Sequence, residues 1–156
     1  SLRHDLIDAC LSLDEGDDLA LSVKKSFALT DFIKTSDGAI LIQGFKRANN
    51  ILLQAEQKDG VEYSYGVESK YAEDGAERNL FFVLDSEEVK IRSALEREDF
   101  VDAMNSMANL RTPIDNFFET VQINSDVDVI RRNRLNLLSR ICKLCLSVAD
   151  LTKVEG

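Results

Sequence analysis

Apolar residues in this chain recur every three or four positions, and runs alternating every second residue are weak. That spacing turns one face of an α-helix toward a core and argues against a sheet as the main architecture. The clearest case is 38–57, where Leu41, Phe45, Ala48, Leu52 and Ala55 form one stripe. Leu2, Leu6, Ile7, Cys10 and Leu13 make a shorter one over 2–13; Leu19, Val23, Phe27 and Phe32 or Ile33 are expected inward over 19–34. Further helices are expected over about 76–97, 98–109, 112–122 and 126–151, with boundaries good to a few residues. Their starts carry capping residues: the Thr35-Ser36-Asp37-Gly38 turn, Asp99, Thr112 before Pro113, and the acidic run at 14–18. The chain therefore reads as all-α, a bundle of about six or seven helices. With 156 residues it suits a single domain, 1–156.

One segment breaks the pattern. Residues 58–75 hold three of the seven glycines and all three tyrosines, with no helical stripe. They read as a long loop inserted in the bundle, with a hairpin or a short helix around Glu68–Tyr71.

The formal net charge is −9, which argues against a nonspecific nucleic-acid coat. Locally the balance reverses. Residues 131–153 contain Arg131, Arg132, Arg134, Arg140, Lys143 and Lys153 against Asp150 alone. A helical wheel centred on Ile141 puts Val127, Ile130, Leu137, Leu138, Leu144, Cys145 and Val148 within about 60° of the buried direction. Arg132 and Lys143 fall near the opposite side, Arg131 and Arg140 on the flanks, Asn133 at a border and Asn136 on the polar face. Arg134 falls about 20° from the centre of the apolar stripe. A guanidinium there needs a partner, because a lone buried charge is costly. Asp115 or Glu119 on the preceding helix, packed antiparallel, is the expected tie. The other cations form either a solvated face or a phosphate-binding one.

A second surface lies on 38–57. Gln43, Arg47, Asn50 and Gln54 share one stripe beside the core, flanked by Lys46 and Asn49. Amides and guanidinium are groups that hydrogen-bond unpaired base edges and phosphates, although such residues also simply decorate solvent faces.

Catalytic signatures are missing. His4, the only histidine, is followed by Asp5 but has no second ligand set. Cys142 and Cys145 form a lone CxxC inside a helix, which reads as packed thiols rather than a redox or zinc site. Three cysteines suit a reducing, cytosolic setting better than a disulfide framework. There is no phosphate loop, nucleophile elbow, secretory leader or apolar run long enough to span a membrane.

Several blocks occur in a recognisable order. They are Pro113-Ile114-Asp115, Phe117-Phe118, Asp126–Asp128, Asn133-Arg134-Leu135-Asn136-Leu137-Leu138 and Val148-Ala149-Asp150, preceded by DLIDACL at 5–11 and FKRANNIL at 45–52. Together they resemble the C-terminal end of the β subunit of bacterial glycyl-tRNA synthetases. The resemblance implies the helical anticodon-binding fold shared with arginyl-tRNA synthetases, named for an Asp-Ala-Leu-Arg motif that is itself absent here. It implies a C-terminal part of a longer β subunit that holds the anticodon arm of glycine tRNA. ATP and Mg²⁺ would act at a separate α subunit within an α2β2 ligase of the cytoplasm, leaving this part non-catalytic. It raises Gln43, Lys46, Arg47, Asn50, Arg131, Arg132, Arg140 and Lys143 as tRNA contacts and suggests that a loop tyrosine stacks on a base. Arg134 and Asp115 are left as a structural ion pair. The alternative is a helical module that docks another subunit or another part of the β chain.

Overall fold

A computed structural model describes residues 3–11 and 19–155. Seven α-helices occur among them: α1 His4–Leu11, α2 Leu19–Ile33, α3 Ser36–Asp59, α4 Gly75–Glu96, α5 Phe100–Ala108, α6 Arg111–Thr120 and α7 Asp128–Leu146. Two 3-10 turns, Ser69–Tyr71 and Leu151–Lys153, complete the order, and no strand occurs among the described residues. The all-α expectation holds. Leu2, Leu13 and the acidic run 14–18 lie outside the described residues.

Local chemistry sets most boundaries. Thr35 caps α3, its hydroxyl accepting from Gly38 N–H at 3.0 Å. Gly38 must be glycine, because a Cβ there would stand 1.9 Å from the Phe32 carbonyl oxygen. Gly60, with φ of 68°, ends α3 in the left-handed conformation that glycine adopts without strain. Asp74 and Glu77 form a reciprocal capping box on α4. Asp99 caps α5 by accepting from Asp102 N–H. Thr112 does not cap α6: the helix begins one residue earlier, Leu110 is the cap residue, and Pro113 falls within the first turn. The last helix stops at Leu146 rather than 151, and residues beyond it fold back so that Asp150 N–H donates to the Ala9 carbonyl at 2.8 Å.

The core runs through every helix and is centred on Phe45, Phe117, Leu80, Leu84, Leu135 and Leu138. The expected α3 stripe is buried throughout. On α2 the expectation holds for Phe32 and fails for Leu19, Val23 and Phe27, which are exposed while Ser22, Lys25, Ser26, Ala28 and Leu29 face inward. Small residues bring α2 close to α1, α3 and α5. Two of its hydroxyls are satisfied within the helix, Ser26 donating to Ser22 O and Thr30 to Ser26 O. α7 is the central helix, packed on α3, α4 and the first 3-10 turn. Consequently residues 133–139 are buried all round, including Asn133, which the helical wheel placed at a border, and Asn136, which it placed on the polar face. Val127, expected inward, is 54% exposed ahead of the helix.

Candidate nucleic-acid interface

Burial of the α3 stripe leaves Gln43, Arg47, Asn50 and Gln54 exposed along the opposite border. α6 comes close beside them at Gly44, where a Cβ would lie 3.2 Å from Ile114 Cγ2. The two helices form a groove. Its narrow end, about 230 Å³, is flanked by Gln43 and Arg47 of α3 and Asp115 and Glu119 of α6. Its wider end, about 590 Å³, reaches Gln54, Lys58, Asn124 and Arg131. The Arg47 guanidinium lies 4.5 Å from the Phe118 ring centroid. No ion pair engages it among the described residues, so its donors remain available. Lys46 leaves this surface by donating to the Val154 carbonyl.

At the end of the groove a cluster ties α3 to α7. Arg131 pairs with Asp59 at 2.8 Å and donates to the Tyr63 phenol oxygen at 3.2 Å and to Asn124 Oδ1 at 3.2 Å. The Tyr63 hydroxyl donates to Asp59 at 2.6 Å. The hydrogen bond from Tyr63, with help from Arg131, holds the Asp59 carboxyl below its ordinary range. Burial, followed by the Asp59 carboxylate, pushes the Tyr63 phenol up.

Beyond this cluster lies a second cleft of about 610 Å³, between residues 61–71 and the first two turns of α7. Asn133 fastens the loop: its Oδ1 accepts from Glu68 N–H at 2.9 Å and its Nδ2 donates to Glu68 O at 3.1 Å. Tyr65, Tyr71, Arg132 and Asn136 face the resulting space. Arg132 is exposed and has no ion-pair partner among the described residues.

The remaining cations are spent on the fold. Arg134 does not pair with Asp115. Its guanidinium meets Glu77 at 3.1 and 3.3 Å and donates to the Gln122 carbonyl at 2.5 Å. The cause is topological, since α6 packs on α3 and α4, while α7 packs mainly on α3 and meets the start of α4 at Glu77. Asp115 instead sits 3.7 Å from Arg111 on its own helix. Arg140 is held by Asp85 at 2.5 Å and Glu88 at 2.8 Å, both from α4. Lys143 reaches the Ser64 carbonyl at 3.4 Å. The cations proposed for tRNA therefore do not share one surface. Gln43, Arg47 and Arg131 follow the groove, Asn50 is exposed on α3 outside its lining, Arg132 faces the tyrosine cleft, and Arg140 and Lys143 lie on the α4 side.

Sequence reading missed Glu77, although Asp74 and Glu77 have capping-box spacing that marks the start of α4. It also missed Asp59, whose role depends on the chain turning back at Gly60. All three cysteines are buried, and burial pushes the Cys142 thiol up to about 12. Among the described residues, no three His, Cys, Asp or Glu side chains converge as a metal site, and no helix is long and apolar enough to cross a membrane.

Guanidinium, amide and phenol groups lining clefts on an all-helical bundle are the surface chemistry of a nucleic-acid-binding domain. Comparison with protein families narrows the class: residues 41–155 match the DALR anticodon binding domain, and the chain belongs to that family. It is 59% identical over 155 residues to the glycine–tRNA ligase beta subunit of Ruegeria sp. (strain TM1040), covering 99% of this chain and 23% of that protein. It is 60% identical to the subunit of the same name from Cereibacter sphaeroides (strain ATCC 17029), over 99% of this chain and 22% of the relative. The Rhodospirillum centenum subunit is 43% identical over 156 residues, again 99% and 22%. The chain spans less than a quarter of the length of these relatives.

Proposed function

We propose that this chain holds the anticodon arm of glycine tRNA as the C-terminal domain of a glycine–tRNA ligase β subunit. Glycine attachment, with ATP and Mg²⁺, would proceed on a partner α subunit of an α2β2 enzyme in the cytoplasm, so this domain positions tRNA without performing chemistry. The observation carrying the reading is the overlap of the family match with the groove and cleft: the exposed Arg47, Asn50 and Gln54 stripe and Arg132 lie within 41–155. In a chain of net charge −9, cations without intramolecular partners are the ones free to meet phosphate. Titration with glycine tRNA and a non-cognate tRNA at 50 and 200 mM salt tests this. Preferential binding of glycine tRNA that weakens steeply with salt supports it. Equal affinities at both salts would remove the phosphate-binding premise.

A second reading concerns another face and is compatible with the first. Leu19, Val23 and Phe27 form an exposed apolar stripe along α2. Such a stripe suits docking of a further part of a longer β chain. Phe27→Ser would then weaken subunit assembly and leave tRNA affinity unchanged.

A further inference from the structure

We propose that the cleft between residues 61–71 and α7 takes in one unpaired RNA base bearing an exocyclic amine. The inference rests on the anticodon-arm reading and adds to it the site and the chemical class of base.

Three observations carry it. The first is aromatic surface. Tyr65 is 77% exposed and, with Tyr71, borders a space of about 610 Å³. The exposed Tyr65 ring beside a cavity of this size offers a stacking surface that any base can use, while Tyr71, with Lys70 Nζ 5.0 Å from its ring centroid, forms part of the wall. The second is an idle amide. Asn136 is only 6% exposed and lines the cleft, and its solvent-shielded Oδ1 has no hydrogen-bond partner among the described residues. Its neighbour Asn133 is fully engaged with Glu68, so the contrast lies between one amide that builds the cleft and one with no structural partner. The terminal amide torsion is soft, and a half-turn brings the oxygen toward the cavity.

The third is polarity. Asp59, Glu62 and Glu68 also line the space, and Arg132 is the one cation among the lining residues. Asp59 is occupied by Arg131 and Tyr63, and Glu68 by Lys70 at 3.0 Å. Glu62 adds a further acceptor. A phosphate inside would meet these carboxylates, whereas an amine donor can pair with Glu62, which has no ion-pair partner among the described residues, and with the Asn136 oxygen. The base therefore enters, and its phosphate stays outside with Arg132. Cytosine, adenine and guanine carry the required amine, and uracil does not.

The chain supplies its own reporter, because Tyr63, Tyr65 and Tyr71 are its only tyrosines and all line the cleft. The intact chain is labelled with 3-fluorotyrosine and followed by ¹⁹F NMR, with resonances assigned through Tyr65→Phe and Tyr71→Phe. Single-stranded heptamers of cytidine, adenosine and uridine, a duplex, and glycine tRNA are titrated in turn. The cytidine and adenosine heptamers should move the Tyr65 and Tyr71 signals, with uridine weaker by about tenfold. Asn136→Leu should erase that preference without lowering Tm, since the amide has no partner to lose. Tyr65→Ala, at an exposed position, should weaken every heptamer. Equal response to uridine, equal response to duplex, no response to any heptamer, or a lower Tm with the preference intact in Asn136→Leu would each overturn the proposal. Glycine tRNA that binds without moving the signals would overturn the cleft and leave the anticodon-arm reading standing. Heptamer responses without tRNA binding would do the reverse.

Discussion

Five cations lie on α7, and its two ends treat them differently. Toward the C-terminal end, α4 runs alongside and supplies Asp85 and Glu88, which capture Arg140. Toward the N-terminal end, the neighbours are the end of α3 and the 60–74 loop. There Arg131 is bound by Asp59 and Tyr63, while Arg132, one residue on, has no ion-pair partner among the described residues. The comparison teaches how to read basic residues in an acidic protein. With 28 acids against 19 bases, an arginine facing another helix tends to meet a carboxylate. A positive charge that has escaped such pairing is more informative than one standing in a basic run. By that standard Arg47 and Arg132 are stronger RNA-contact candidates than Arg140.

The comparison can be broken most severely at the buried tie beneath it. Glu77→Ala strips Arg134 of its carboxylate and α4 of its capping box, and should cost about 3–5 kcal/mol in urea unfolding. Asp115→Ala, at a half-buried site 3.7 Å from Arg111, should stay within about 0.5 kcal/mol. If Asp115 were the costlier residue, the partner assignment would be wrong. Next in size is the contrast between the two ends. Arg132→Glu should weaken glycine-tRNA binding by about tenfold and flatten the salt dependence by roughly one unit of slope. Arg140→Glu should leave tRNA affinity nearly unchanged and reduce stability by about 1 kcal/mol through repulsion from Asp85 and Glu88. Exchange of those two outcomes would erase the distinction.

A smaller effect concerns packing at the C-terminal end of α7. Burial raises the Cys142 and Cys145 thiols, Cys142 to about 12, so alkylation at pH 8 should proceed only as fast as the helix opens. Prompt labelling of the native chain would show that end to be loose. The smallest effect is the acid limb of the Asp59 cluster. The folded carboxyl titrates below its ordinary value, so its contribution is complete above the unfolded value of 3.8. It is lost as pH falls through the depressed folded value. Asp59→Asn should remove that contribution at neutral pH and flatten the stability profile in the acid window, leaving the slope near neutrality unchanged.

Periodicity revealed much of the architecture. The α3 stripe, the caps at Thr35 and Asp99, and the interruption at 58–75 all follow from nearest-neighbour chemistry. The pattern misled where apolar residues surround a helix, as on α2, because small hydroxyl residues that bond their own helix can be buried as readily as leucine. It also misled for Asn136, because a wheel assumes one dry face and this part of α7 is enclosed by neighbours. At the candidate interface, the stripe of Gln43, Arg47, Asn50 and Gln54 was legible as spacing. The cleft was not, because it joins residues far apart along the chain through Asn133 and Glu68.

Sequence by itself therefore determined that this chain is helical, where most helices begin, and that Arg134 needs a buried partner. Local hydrogen bonds and side-chain periodicity act over a few residues, and a desolvated charge is costly wherever it lies. Only the tertiary structure chose Glu77 over Asp115, bound Arg140 while leaving Arg132 without an ion pair among the described residues, and set three tyrosines around the Asn136 amide. Those choices depend on which helices lie side by side, and through-space electrostatics follows that arrangement rather than separation along the chain.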